Sequence, residues 1–462
     1  MNATASRLFL LHPTRRRELL LLSARLGVIC IAAYALLRSP FATAGLVLLG
    51  LLSLAFIESP RVLALGFLAC LPIVQTFGTQ LSVYGEGGHL SLNVMGACNL
   101  LLLGAGSLAL FRWNRDVEWR RLGPIIAFTG YLLLTVAFSP ELLLSVRNWI
   151  AYAVPVFLAL LISADRDPVR LVTKGIVALM VCAVTSGLMG LWQLATWDLT
   201  YQFNGMPRIP GGHGYPNSFA MFLVLCIMAS LLVTSRSRVA GRSTLSLATL
   251  GPLFVLLLFT FSRTGWIVLL VCVVTCWLML GKRLVSMLLL WSLFLGLLSS
   301  YLVPIVVNRF QPDSSFYQRF VLARIGWDLF KEAPVMGHGV GSFQVMSREF
   351  LGTVVERYGV PLGLVPHNDV IRFMVEGGLV GLALYLGALA RCARIGWDLF
   401  RSGDERNRLF GAFLVSATAG TFVFGLGGQG LAYAAPYLLT ATGLGAGLMR
   451  QQKSRPSPES LV

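Results

Sequence analysis

LSLATLGPLFVLLLFTFSRTGWIVLLVCVVTCWLML, residues 245–280, carries one charged side chain, Arg263, in an otherwise apolar stretch. Parted at Ser262-Arg263 it reads as two segments, 245–261 and 265–280. Each approaches the ~20 apolar residues that cross a bilayer. The pattern repeats from one end of the chain to the other. A soluble chain of 462 residues would suggest several domains. Here 56% of residues are hydrophobic and only 12% are charged, about half the charged share of ordinary soluble proteins. The composition therefore predicts an all-α polytopic integral membrane protein.

Outward from 245–280, further apolar runs lie near 20–37, 42–57, 62–77, 93–111, 122–138, 148–163, 171–195 and 217–234 on the N-terminal side. On the C-terminal side they lie near 284–307, 367–390, 410–426 and 431–449. The fourteen runs include several short ones, so 12–14 transmembrane helices are expected, about twelve of them full spans. The layout divides into an N-terminal transmembrane bundle (1–307), a long outer loop (308–366), C-terminal transmembrane helices (367–449) and a tail (450–462). Arg15, Arg16 and Arg17 precede the first run, and no small-residue cleavage site ends it, so no separate cleavable signal is expected.

Lys and Arg exceed Asp and Glu by 37 to 20. With the N-terminus inside, 25 of the 37 cations fall in alternate loops on one side, the positive-inside pattern with both termini cytoplasmic. The charge excess is thus topological, and nucleic-acid binding is not expected. All eight cysteines lie within or at the ends of apolar segments without metal-ligand company, which argues against a disulfide framework or a zinc site.

The cations that break the topological rule carry more information. Arg25 and Arg38 flank the first span and can snorkel. Ten others lie outside or at the outer membrane edge, and nine of those are Arg: 147, 208, 263, 309, 319, 324, 348, 357 and 372. Some will be structural, paired with nearby carboxylates. A planar guanidinium fork nonetheless suits bidentate phosphate binding, so an outward cluster of arginines points to an anionic ligand.

The loop 308–366 is far longer than a connection requires, which marks it as functional. Within it SFYQRFVLARIGWDLFKE (315–332) has helical spacing, with Phe320, Ile325, Trp327 and Phe330 among charges, and reads as an amphipathic helix on the outer leaflet. The octapeptide ARIGWDLF occurs at 323–330 and again at 393–400, on opposite membrane sides and with unlike flanks. It signals a shared interfacial-helix composition and not a repeated domain.

Candidate chemistry gathers on the outside. In PHNDVIRFMVEGGLVGLALYL (366–386), Pro366 and Asn368 mark a helix start, so His367 sits at the outer mouth of a span. The positive end of the helix dipole disfavours imidazolium there and keeps the ring neutral, as a general base requires. A plain capping role fits the same position. Arg372 and Glu376 are spaced to pair with each other. His338 stands among glycines in PVMGHGVGSF, where the backbone can approach a ligand closely or simply turn. RIPGGHGYPNSFA (208–220) combines Arg208, three glycines, His213 and Asn217 just before a span, and its amides could cradle a phosphate. Arg263 is a charge at a membrane turn, costly unless it lines an aqueous cavity. Phosphate-loop, dinucleotide and nucleophile-elbow motifs are lacking, as is any outer Asp-x-Asp pair, so no ATP, NAD or metal dependence is expected.

His367-Asn368, nine residues, then Gly378-Leu379-Val380-Gly381 resembles the signature of the O-antigen ligases. Arg319, Trp327, the Pro334–Gly339 segment with Ser342-Phe343, the Pro216-Asn217 pair and the Ser262-Arg263 turn are similar to the wider ligase/polymerase membrane family. The resemblance implies a multi-pass enzyme of the Gram-negative inner membrane with a periplasmic active site. It implies an inverting, cofactor-free and metal-independent glycosyltransferase of lipopolysaccharide biosynthesis. Its donor would be O-antigen on undecaprenyl diphosphate and its acceptor a sugar hydroxyl of lipid A–core. It implies His367 or His338 as base and Arg263, Arg319, Arg208 and Arg147 on the diphosphate, with Asn368, His213, Asn217 and Arg372 as auxiliaries. An O-antigen polymerase or protein O-oligosaccharyltransferase using the same donor is the near alternative; a polyisoprenoid-lipid transporter or flippase is the distant one.

Overall fold

The computed structural model describes residues 117–196, 202–203, 206–236, 240–281, 314–347 and 366–453, with 99, 102–104 and 107. These residues are helical apart from turns and a hairpin of two two-residue strands, Gln202–Phe203 and Met206–Pro207. In chain order the helices are α1 (Trp119–Thr135), α2 (Leu142–Ser163), α3 (Pro168–Ala195), α4 (Pro216–Arg236), α5 (Ala240–Phe259) and α6 (Arg263–Leu280). They continue as α7 (Ser314–Glu332), α8 (Ser342–Met346), α9 (Asp369–Phe400), α10 (Glu405–Gly427) and α11 (Gly430–Lys453). Within the described residues α1, α2, α3, α6, α9 and α10 are long and apolar enough to cross a membrane. The chain is a polytopic membrane protein. The predicted runs near 20–37, 42–57, 62–77 and 284–307 lie outside the described residues, and of the run near 93–111 only 99, 102–104 and 107 are described.

Helix starts follow the side chains that satisfy their first amides. Asn368 accepts from the Ile371 amide at 3.1 Å to begin α9, and Ser262 accepts from Gly265 at 3.2 Å to begin α6. Asp167 caps α3 through Arg170 N–H, with Pro168 in its first turn. Helices cross where small residues allow backbones to meet, since lipid supplies no hydrophobic drive between apolar helices. A Cβ on Gly396 of α9 would stand 2.9 Å from the Gly411 carbonyl oxygen of α10. One on Gly443 of α11 would stand 2.3 Å from the Ala159 carbonyl oxygen of α2. Phe128, Tyr152, Phe373 and Tyr385 stack edge-to-face and tilted in the core between α1, α2 and α9.

The expected span at 367–390 differs from the observed helix in two respects. It runs on to Phe400, absorbing the second ARIGWDLF, and it is broken at Gly378, whose φ of 62° and ψ of −162° no α-helix contains. A break inside a membrane segment frees backbone groups that hydrocarbon cannot satisfy. Residues 334–339 supply the partners. The freed amides of Leu379 and Val380 donate to the carbonyls of Pro334 (2.9 Å) and Val335 (3.3 Å). The freed carbonyls of Val375 and Glu376 accept from His338 N–H (2.9 Å) and Gly339 N–H (3.0 Å). The Tyr131 hydroxyl of α1 donates to the carbonyls of Gly377 (2.9 Å) and Met336 (3.1 Å).

Glycine is required on both sides of this junction. A Cβ on Gly378 would fall 2.2 Å from the Val335 oxygen, and one on Gly337 2.5 Å from the Gly377 nitrogen. The close backbone approach expected of the His338 loop is real, and its partner is the chain's own helix.

The amphipathic helix expected at 315–332 is α7, 314–332. Its inward face is Val321, Leu322, Ile325, Leu329 and Phe330, packed on Phe343 of α8 and Val375 of α9. Phe320, Arg324, Trp327 and Lys331 form its exposed stripe. Of the four apolar residues singled out there, two therefore face inward and two face out.

Candidate active site

The site is built on the mouth of α9. His367 precedes the cap Asn368, whose Nδ2 donates to the Leu426 carbonyl at the end of α10 (3.1 Å). The next residue, Asp369, is fully buried and accepts from the Leu431 amide at the start of α11 (2.7 Å). The mouth is thereby fastened to the α10–α11 turn by two consecutive side chains. The carboxylate of Asp369 also favours the positive end of α11.

His367 is half-buried, and two influences hold its imidazole neutral. Burial is the larger and the positive charge of Arg319 the second; together they push its pKa down to about 4. Arg319 reaches this point from α7. A Cβ on Gly427, next to Leu426, would stand 3.8 Å from an Arg319 guanidinium nitrogen and 3.4 Å from Thr264 Oγ1. Thr264 follows Arg263 at the head of α6, so α6, α7, α9 and the end of α10 meet here.

The glycine-rich loop joins from the other side of the α5–α6 turn. Arg208 donates through Nε to the Thr260 carbonyl (3.0 Å) and through a terminal nitrogen to Asn217 Oδ1 (3.3 Å). Ile209 N–H donates to the Phe259 carbonyl at 3.2 Å. Between Thr260 and Ser262, Phe261 has φ 48°, a left-handed conformation that costs a bulky residue about 1–3 kcal/mol. This strained turn leads through Ser262 into Arg263, the first residue of α6. Arg208 is thus tied to the α5–α6 turn that leads into Arg263, and Arg319 acts on His367 near the head of α6.

Other sequence candidates sit differently. His213 is buried, stacked against both Phe219 and Phe222, with Nδ1 3.2 Å from the Gly211 carbonyl and Nε2 3.4 Å from the Tyr437 hydroxyl; burial pushes its pKa to about 4. The Gly211 amide of its loop already donates to Gln193 Oε1 (3.1 Å). His338 turns Nε2 to the Leu329 carbonyl at 2.9 Å, tying the plug loop to α7. Arg372 pairs with Glu376 at 3.2 Å inside the bundle and lies over the Tyr152 ring, as their spacing predicts. Arg147 is exposed on α2, and no hydrogen bond or ion pair joins it to the group among the described residues. Among those residues no three His, Cys, Asp or Glu side chains converge as a metal site. Sequence reasoning missed Asp369, Thr260 and Thr264. The signal for Asp369 was present, a carboxylate directly after the His-Asn pair at a membrane mouth.

Residues 247–386 match the family model described as O-Antigen ligase. That segment holds Arg263, Arg319, His338, His367 and the Gly378 break, and leaves Arg208 and Asn217 outside. Over 281 residues the chain is 26% identical to the Exopolysaccharide production protein ExoQ of Rhizobium meliloti (strain 1021), covering 56% of this chain and 62% of that protein. The alignment spans about three-fifths of that relative's length. A mouth histidine with Arg263 and Arg319 thus lies on the segment over which the chain is similar to the O-antigen ligases.

Proposed function

We propose that the protein transfers a glycan from a polyisoprenyl diphosphate to a hydroxyl group, with lipid A–core as acceptor, at the outer face of a Gram-negative inner membrane. The observation that carries the reading is the neutral His367 ring beside Arg319 at the mouth of α9. The acceptor oxygen attacks the anomeric carbon as the carbon–oxygen bond to the diphosphate breaks, so the anomeric centre inverts. His367 takes the hydroxyl proton, and the electron pair departs on the undecaprenyl diphosphate. Arg319, Arg263 and Arg208 stabilise the charge that grows there. A base of pKa about 4 is ionised to imidazolium only in acid, so it stays competent at neutral pH. The anionic donor, once bound, raises that pKa and makes the ring a better proton acceptor in the complex. His338, held by Leu329, serves as architecture in this reading.

A second reading has the glycan added to another lipid-linked glycan, and the relative named for exopolysaccharide production favours it. The test combines purified protein, undecaprenyl-diphosphate-linked glycan and lipid A–core, with EDTA and without nucleotide. Glycan on lipid A–core from the wild type, reduced about 10²–10⁴-fold by His367→Ala, supports the ligase with His367 as base. Lengthening of the donor glycan instead makes the protein a polymerase. Undiminished transfer by His367→Ala removes His367 from the chemistry.

A further inference from the structure

The segment FGLGGQG, residues 424–430, carries the chain from α10 into α11, and four of its seven residues are glycine. Packing accounts for three of them. A Cβ on Gly425 would stand 2.9 Å from Asp369 Oδ2, one on Gly428 2.8 Å from the Phe424 ring, and one on Gly430 2.2 Å from the Thr421 carbonyl oxygen. Gly427 is different. Its φ lies outside the left-handed region. The nearest atoms to a Cβ there are Thr264 Oγ1 at 3.4 Å, Thr264 Cγ2 at 3.6 Å and an Arg319 guanidinium nitrogen at 3.8 Å. Neither backbone nor packing calls for glycine at this position, the last of α10. What glycine leaves is the space itself, bordered by a hydroxyl and a guanidinium. Gly427 is half-buried, so that space is still reached from outside.

The Thr264 hydroxyl is a second, independent sign of a ligand. Thr129, Thr275, Thr418, Thr421, Thr440 and Thr442, inside their helices, each donate to the carbonyl four residues back. Thr264 is placed otherwise. It is the second residue of α6, ahead of any carbonyl of that helix, and the carbonyl four residues behind it, that of Thr260, accepts from Arg208. Among the described residues the Thr264 hydroxyl has no hydrogen-bond partner, although the side chain is only 9% exposed. A donor so buried and left unmet is costly. The positive end of α6, a helix of 18 residues, favours an anionic partner at the same place.

We propose that the space over Gly427 seats an oxygen of the donor's diphosphate, with the Thr264 hydroxyl donating to it beside Arg319. The inference rests on the glycan-transfer reading and deepens it. A guanidinium attracts an anion from many directions, whereas a hydroxyl fixed in the first turn of a helix takes one oxygen at one place. Thr264 orients the leaving group, and Gly427 admits it. Arg319, whose charge acts on His367, borders the same space, so the leaving group is held near the base.

Equilibrium binding of undecaprenyl diphosphate to the full-length protein in non-ionic detergent provides the test, with inorganic diphosphate as a second probe. Thr264→Val, which keeps the shape and removes the hydroxyl, should weaken lipid binding about ten-fold, and Thr264→Ser should restore it. Gly427→Ala should weaken binding at least as much, with a melting temperature no lower than that of the wild type. A Cβ there meets ordinary contacts, and alanine favours a helix. A merely structural role would give the reverse, lost stability with unchanged affinity. Thr275→Val, which removes a hydroxyl of the same helix that already has its carbonyl, should bind like the wild type. Wild-type affinity in Thr264→Val or in Gly427→Ala overturns the subsite and leaves the donor reading standing. Equal weakening in Thr264→Ser and Thr264→Val overturns the role of the hydroxyl. Failure of the wild type to bind undecaprenyl diphosphate overturns the donor reading, and the subsite with it. Dependence on Thr264 for inorganic diphosphate alone overturns the lipid in favour of a soluble anion.

Discussion

The octapeptide ARIGWDLF appears once in α7 and once at the end of α9, and the two copies fold alike. Arg324 pairs with Asp328 at 3.4 Å and Arg394 with Asp398 at 3.0 Å. Trp327 and Phe330 tilt at 38° with ring centres 5.6 Å apart, and Trp397 and Phe400 at 32° with the same separation. Ile325 and Ile395 are buried, as are Leu329 and Leu399, while both tryptophans are exposed. In each copy the glycine is a crossing point. Gly326 faces Ile371 and Phe343, and Gly396 faces Gly411. What differs lies outside the eight residues. Four positions upstream stands Arg319 in one copy and the buried Leu389 in the other. Downstream, one copy leads into the loop that plugs the break in α9, and the other reaches a capped turn before α10. Local sequence sets the helix and its faces; the flanks decide whether the helix brings an arginine to His367 or merely ends a span.

The largest expected effect erases the upstream difference. Arg319→Leu gives the outer copy the flank of the inner one, and glycan transfer should fall about 10²-fold. It also moves the base. Arg319 depresses the His367 pKa, so its removal raises that pKa and the acid limb of the residual activity moves to higher pH. The limb stays below the ordinary imidazole value, because burial is the larger cause and remains. An unmoved limb would separate Arg319 from His367.

Next comes the downstream difference. Gly378→Ala places a methyl group against the Val335 carbonyl at a φ that L-residues resist, and should destabilise the protein by about 3 kcal/mol or more. Thermal melting in detergent measures this; a variant that melts like the wild type means the plug is dispensable.

The two glycines within the octapeptide should then cost about 1–3 kcal/mol each as alanine, but with different remedies. The obstacle to Gly326→Ala is the Ile371 side chain, so Ile371→Ala should recover part of the loss. The obstacle to Gly396→Ala is the Gly411 carbonyl oxygen, and no side-chain change there can give way. Equal rescue in both copies would contradict the assigned contacts. The smallest effect is shared. Arg324→Ala and Arg394→Ala remove exposed ion pairs, and neither should shift the melting temperature measurably.

Much of the site was legible because its signals are local. Asn368 and Ser262 announce helix starts by side-chain type, and α7 was placed to within a residue. Arg372 and Glu376 pair because their spacing on a helix leaves little else within reach. The break at Gly378 was not legible, since the apolar run continues through it and the backbone that satisfies it lies some forty residues earlier. The same distance hid the purpose of the Gly337 loop, which reads equally as a ligand cradle. The face of α7 was ambiguous for a related reason. Phe320 and Phe330 are the same residue type, and only Phe343 and Val375 on other elements decide which of them is buried.

The break in α9 has a mechanical consequence for the base. Nine residues, 369–377, are clamped at one end by the α10–α11 turn and at the other by the plug, while the remaining twenty-two run on packed against α10. A continuous helix would transmit any tilt imposed by bilayer thickness along its whole length. With the helix divided in this way, a tilt of the longer limb with α10 is not passed straight along the axis to the stub, whose own ties to α11 and to residues 334–339 hold the mouth beside His367.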